Sequence, residues 1–282
     1  MLILQKCCNL IVSEKRCLII VKKEEIEAAC NQANVRFIGE ALSGYPKYKY
    51  LHNWLQNKSF YLNKERCIPN KNYRVYKRGT IVYVDFGVNV GYELSGNHFA
   101  IVLNNKDNPK NGVVCVVPIS SKKKSNYVSV GKILEIASIT QFISQADKLK
   151  EKLRIIILLS LYRGIIDESN LYGPFKDIEA KGEKLSVEEV EKRAAKHNLI
   201  CETSEQVTKE IKSLSDDMLK YQKVFNYYRK YTQESYVMPL NIQTISKNRI
   251  RRINEFDPSG NMRAPANVLS EIDETVKKCF TK

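Results

Sequence analysis

Long apolar runs are missing from this chain. The longest uninterrupted stretch, Ile155 to Leu159, falls far below the roughly 18 residues a membrane-spanning helix needs. A secretory pattern is also missing: Cys7 and Cys8 break up Met1 to Leu10, and no apolar core follows. An integral membrane protein and a secreted protein are therefore not expected, and a cytoplasmic one is. The eight cysteines, at 7, 8, 17, 30, 67, 115, 201 and 279, contain no CxxC pair and have no histidine near them at zinc spacing. They read as reduced thiols. There is no carboxylate cluster either, so neither a metal nor a cofactor is expected. Histidine is scarce, with three residues, and tryptophan occurs once.

What the chain does have is positive charge and enough apolar content for a core. Its 282 residues are 43% hydrophobic, which excludes wholesale disorder. At about 150 residues per domain, the length allows about two domains, or one with a large insertion. Lysine and arginine total 46 against 31 acidic residues, a net charge of +15. Such a surplus points to an anionic partner, most often nucleic acid; it also serves solubility alone. The surplus is uneven. Residues 1–76 carry 13 basic and 6 acidic groups, whereas 136–233 carry 17 and 15. The first half is the electropositive one.

Three segments follow from the patterning. Residues 1–75 form a helical, aromatic and basic extension. A helix is expected over 5–43, stopped by Gly44 and Pro46. Beyond it Tyr45, Tyr48, Tyr50, Trp54, Phe60 and Tyr61 interleave with Lys47, Lys49, Lys58 and Lys64. Aromatic planes beside cations suit unpaired bases; the same pattern fits a small helix packing its rings on a neighbour, with lysines in water. Residues 76–134 together with 234–282 read as antiparallel β structure closed by a final helix. Phe99 to Leu103 and Val113 to Ile119 are its clearest strands. Residues 135–233 read as a helical insertion. There Ser186 with Glu189, and Thr203 with Gln206, make capping boxes. The second opens a heptad seam of Val207, Ile211, Leu214, Met218, Tyr221, Phe225 and Tyr228, expected to pack on another helix of the chain or of a partner.

One pairing brings chemistry together. If Asn105 to Gly112 closes a hairpin, Phe99 faces Ile119, Leu103 faces Cys115, and His98 falls opposite Ser120. Lys122, Lys123 and Lys124 follow directly, and Gly87 to Gly96 forms a wall carrying Glu93. Imidazole near its ordinary pKa exchanges protons at neutral pH. A hydroxyl and lysines can hold phosphate oxygens. That set suits RNA cleavage by attack of the 2′-hydroxyl, without metal. The plainer alternative is that His98 bonds a loop carbonyl and Ser120 caps a turn.

The stretch YKRGTIVYVDFGVNVGYELSGNHFAIVLNN, residues 76–105, resembles the opening of the MazF/PemK toxin family. Lys77, Arg78, Gly79, Ile81, Asp85, Gly91, Glu93, Gly96 and Asn104 fit the family pattern. VVCVVPISS at 113–121 resembles its next strand, and SYVMPLNIQTISKNRI at 235–250 its closing stretch, with Thr244, Lys247 and Arg249 in place. The family's usual arginine falls on His98, its proline on Phe99, and its hydroxyl residue on Ser120.

The resemblance implies an α+β fold: an SH3-like antiparallel β barrel, MazF/CcdB-like, with a helical N-terminal extension and a helical insertion. It implies an endoribonuclease acting on single-stranded RNA, often a homodimer, neutralised by a protein antitoxin. Carried to this sequence, His98 and Ser120 would be catalytic. Arg78, Glu93, Ser121 and Lys122 to Lys124 would contact RNA. Two other readings stay open: a non-catalytic RNA- or protein-binding barrel, and a gyrase-directed toxin that relies on the terminal helix.

Overall fold

The computed structural model describes residues 22–67, 72–167, 169 and 185–281. The chain divides into two compact units, residues 1–57 and 58–282. In the first, α1 (Lys23–Leu42) ends as the sequence predicts: Ser43 Oγ donates to the Glu40 carbonyl, 2.7 Å away, and Gly44 takes a left-handed φ of 75°. Residues 5–21 of the expected helix lie outside the described residues. None of α1 is buried. A short 3-10 turn at Pro46–Tyr48 leads into α2 (Leu51–Cys67), which runs on into the second unit.

The second unit holds the sheet. Its strands are β1 (Ile81–Asp85), β2 (Asn97–Val102), β3 (Val113–Ser120), β4 (Val128–Ser129), β5 (Tyr236–Val237), β6 (Gln243–Ser246) and β7 (Ile250–Arg251). All the pairings are antiparallel, in the order β4-β5-β3-β2-β1-β7, with β6 also on β3. The mixture of helices with an antiparallel sheet is the one the sequence predicts. Closure is different: no pairing joins the outer strands β4 and β7, so among the described residues the sheet stays open. β4 and β7 are two residues each, too short for a long closing ladder.

The period of two in the strand sequences sorts residues between two cores. Ile81, Phe99, Ile101, Val117 and Ile119 face one way. They meet Ile133, Leu134 and Phe142 of α3 (Ile133–Tyr162), Val224 and Tyr228 of α5 (Ser204–Tyr228), and Ile272 of α6 (Ala266–Phe280). Val82, Val84, Phe86, Ala100, Val102, Val114 and Val116 face the other way and pack with Ile245 and Tyr76. The β2–β3 register matches the expected hairpin: Ala100 faces Pro118, Ile101 faces Val117, and Val102 faces Val116.

A third core explains the apolar run of the sequence. Ile155, Ile156, Leu158 and Leu159 of α3 pack against Val190 and Ala194 of α4 (Val187–Lys196) and Val207 and Leu214 of α5. Both predicted caps form: the Glu189 and Gln206 amides donate to the Ser186 and Thr203 hydroxyls. The heptad seam of α5 packs within the chain, on α3, while Ile211, Met218 and Phe225 stay exposed. No helix among the described residues is long and apolar enough to cross a membrane.

Candidate active site

At the end of the β2–β3 pair lies an open cavity of about 430 Å³. His98, Phe99, Ile119, Ser120, Ser121 and Lys122 form one side of it. The opposite wall comes from the end of α5 and the segment after it: Lys230, Tyr231, Gln233, Glu234 and Ser235. Tyr83 lies at the β1 side. Of the residues expected at the site, His98, Ser120, Ser121 and Lys122 line this one cavity.

The remaining four do not. Lys123 and Lys124 are exposed beyond its rim, and the Lys124 ammonium lies 5.6 Å from the Tyr127 ring centroid. Glu93 is exposed on the Gly87–Gly96 loop. That loop is pinned from within: Asn89 Nδ2 donates to the Phe86 and Leu94 carbonyls, and the Asn89 amide donates to Ser95 Oγ. Arg78 turns elsewhere, donating to the Leu103 carbonyl and pairing with Asp273 of α6.

His98 is held at both nitrogens. Nδ1 lies 3.4 Å from the Ile119 carbonyl oxygen and Nε2 3.2 Å from that of Ser95. Both partners accept only, so a neutral ring donates to one of them and a charged ring to both. Burial pushes the imidazole below its ordinary pKa, against the opposing pull of the two carbonyls. Ser120 Oγ accepts from the Lys122 amide at 3.0 Å and faces the Lys122 carbonyl at 3.3 Å, a local turn cap.

The far wall is aromatic and charged. Tyr231 donates to the Tyr227 hydroxyl at 3.1 Å, which donates to Tyr83 at 2.9 Å. Burial raises the Tyr83 and Tyr231 pKa values, so both hydroxyls stay protonated. The Lys230 ammonium sits 3.8 Å from the Tyr227 ring centroid and 5.0 Å from that of Tyr231. Glu234 accepts from the Tyr236 hydroxyl through Oε2, at 2.6 Å. Tyr236 is the β5 residue facing Ser120.

Reading the sequence alone misses this wall. Its one signal is the place of Ser235 at the start of the closing stretch; Lys230 and Tyr231 carry none, being the tail of a helix whose seam reads as packing. Among the described residues no three His, Cys, Asp or Glu side chains are grouped so as to share a metal ion.

A strand pair with a lysine- and hydroxyl-lined cavity at its end, backed by helices, makes this a mixed α+β fold with an open cavity at one sheet end. Residues 77–163 match the family described as PemK-like, MazF-like toxin of type II toxin-antitoxin system. This stretch, from the approach to β1 through α3, is PemK/MazF-like. Toxins of this family are typically endoribonucleases. No curated protein matches the chain. The match covers His98, Ser120 and Lys122 but stops before the Lys230–Ser235 wall.

Proposed function

We propose that the chain is the toxin of a toxin–antitoxin pair and that its cavity binds single-stranded RNA and cuts it by attack of the 2′-hydroxyl. The observation that carries this reading is the meeting of Ser120 and Lys122, from the toxin-like stretch, with Lys230 in one open cavity. In this reading Lys122 and Lys230 neutralise the scissile phosphate, and Ser120 Oγ with the neighbouring amides steadies its oxygens. Tyr231 and Tyr83 offer ring edges to an unpaired base. The curled sheet of 76–134 with 234–282 is the SH3-like toxin body, and 135–233 is its insertion. An acidic antitoxin segment is the expected protein partner, because Lys122 and Lys230 line the groove, and a second copy of the chain is what the family likeness implies.

His98 keeps a place in this site with a changed role. Proton transfer to an RNA hydroxyl needs a nitrogen lone pair aimed into the cavity, and at rest both nitrogens face carbonyls. We therefore assign His98 the floor, where it clamps the Ser95–Asn97 turn to β3. That same observation favours the second reading, an RNA-binding protein without cleavage.

One incubation separates the two. Purified protein and a long unstructured RNA are mixed in EDTA, beside a Ser120→Ala, Lys122→Ala double variant. Discrete cuts, slowed about a hundredfold in the variant, support the nuclease. Retention of RNA with no cuts supports the binder.

A further inference from the structure

The reaction needs a group that accepts the 2′-hydroxyl proton. Within the cavity lining, Glu234 is the only carboxylate. We infer that Glu234 is the general base of this site and that Lys230 is its counterpart on the leaving oxygen. The inference rests on the RNA-cleaving reading above and extends it to a segment outside the toxin-like stretch.

Three observations support it. First, Glu234 is held but not used up. Tyr236 donates to Oε2, and Oε1 makes no hydrogen bond among the described residues. A carboxylate fixed through one oxygen presents the other in a set direction, which is what a proton acceptor requires. Second, its holder is placed by the sheet. Tyr236 pairs with Ser120 across β3 and β5, so Ser120 and the residue that holds the Glu234 carboxylate share one ladder. The hydrogen bond also raises the Tyr236 pKa, the mark of an anionic acceptor. Third, the competing candidate is engaged: His98 has both nitrogens on carbonyls.

The step balances. The 2′ proton passes to Glu234 Oε1 as the 2′-oxygen forms its bond to phosphorus. The phosphorus–5′-oxygen bond breaks, and the departing oxygen takes a proton from the Lys230 ammonium. Water returns both residues to their starting states, and the products are a cyclic phosphate and a 5′-hydroxyl. The other titratable groups lining the cavity are Lys122 after β3, Lys230 and Tyr231 after α5, His98 on β2 and Tyr83 on β1, and Tyr236 on β5 holds Oε2.

The test compares wild type with Glu234→Gln and Tyr236→Phe on a labelled single-stranded RNA in EDTA. It measures cutting rate against pH and, separately, binding by fluorescence anisotropy. Glu234→Gln is isosteric and the residue is exposed, so folding is expected to be unchanged, with circular dichroism as the check. The expected result is a loss of cutting of about 100-fold or more with affinity unchanged within about threefold. The acid limb of the rate profile should vanish in Glu234→Gln. Tyr236→Phe should retain that limb at a rate lowered about tenfold. Glu234→Gln cutting at the wild-type rate overturns the inference and leaves the nuclease reading intact. A wild type that binds RNA without cutting it overturns both.

Discussion

Lys247 and Asp107 form a buried ion pair: their side chains are 3% and 0% exposed, and Nζ lies 2.8 Å from each carboxylate oxygen. Asp107 also accepts from the Tyr76, Asn108 and Asn111 nitrogens. Removing the lysine leaves that carboxylate buried without its cation, so Lys247→Met is expected to cost about 3–5 kcal/mol in a denaturant melt. Burial pushes the Asp107 pKa up, but the Lys247 and amide hydrogen bonds outweigh it and the net shift is down. The pair's contribution is therefore full above the ordinary aspartate value, about 3.9, and is lost as pH falls through the lower folded value. His98 is the same case at a higher pH. Its folded pKa lies below about 6.5, so the unfolded chain takes up the proton first. Stability should fall as pH drops below about 6.5, and a His98→Gln variant should lose that part of the slope. Residue by residue, the sequence was informative only where partners lie close along the chain. His98 and Ser120 are one hairpin apart. Glu234 and Lys230 reach the same cavity from more than a hundred residues away, and no local pattern encodes that return.

The elements were more legible than the site they build. The register of β2 with β3, with Phe99 opposite Ile119, follows from alternation and a closing loop, because a slip of one residue would turn a whole buried face outward. Both helix caps followed from their residue types. The β3–β5 and β3–β6 pairings did not, since the strands they join are separated by three helices among the described residues. The closing stretch reads as two β runs, and the structure sets a short β5 and β6 on either side of a 3-10 turn at Pro239–Asn241. Pro239 lacks the amide a continuous ladder needs. At this scale the cap of α5 is measurable: Thr203→Ala removes the acceptor of the Gln206 amide and should cost about 1 kcal/mol, read as a lowered Tm. Leu159→Ala opens the α3–α4–α5 core and should cost about 2–5 kcal/mol. The first change should leave RNA retention untouched, because the cap lies at the opposite end of α5 from Lys230.

For the whole molecule, the RNA-binding reading draws from the charge of +15 chiefly the two lysines at the cavity, Lys122 and Lys230. Many of the others are spent internally: Arg78 on Asp273, Arg193 on Glu151 and Glu189, Lys220 on Glu255, and Lys247 on Asp107. With Lys122 and Lys230 neutralising about two phosphates, retention of single-stranded RNA should fall roughly 7-fold between 50 and 200 mM salt. Lys122→Ala should flatten that dependence, whereas Arg78→Ala should leave it alone. Residues 230–235, which lie beyond the toxin-like stretch, complete the cavity that this stretch begins. The most direct measurement uses two RNA oligonucleotides of one sequence, differing by a single 2′-deoxy sugar at the mapped cut position. The account predicts cleavage of the all-ribose strand to a cyclic phosphate, with the deoxy strand bound equally well and left whole. Equal cutting of both strands, or of neither, would contradict it.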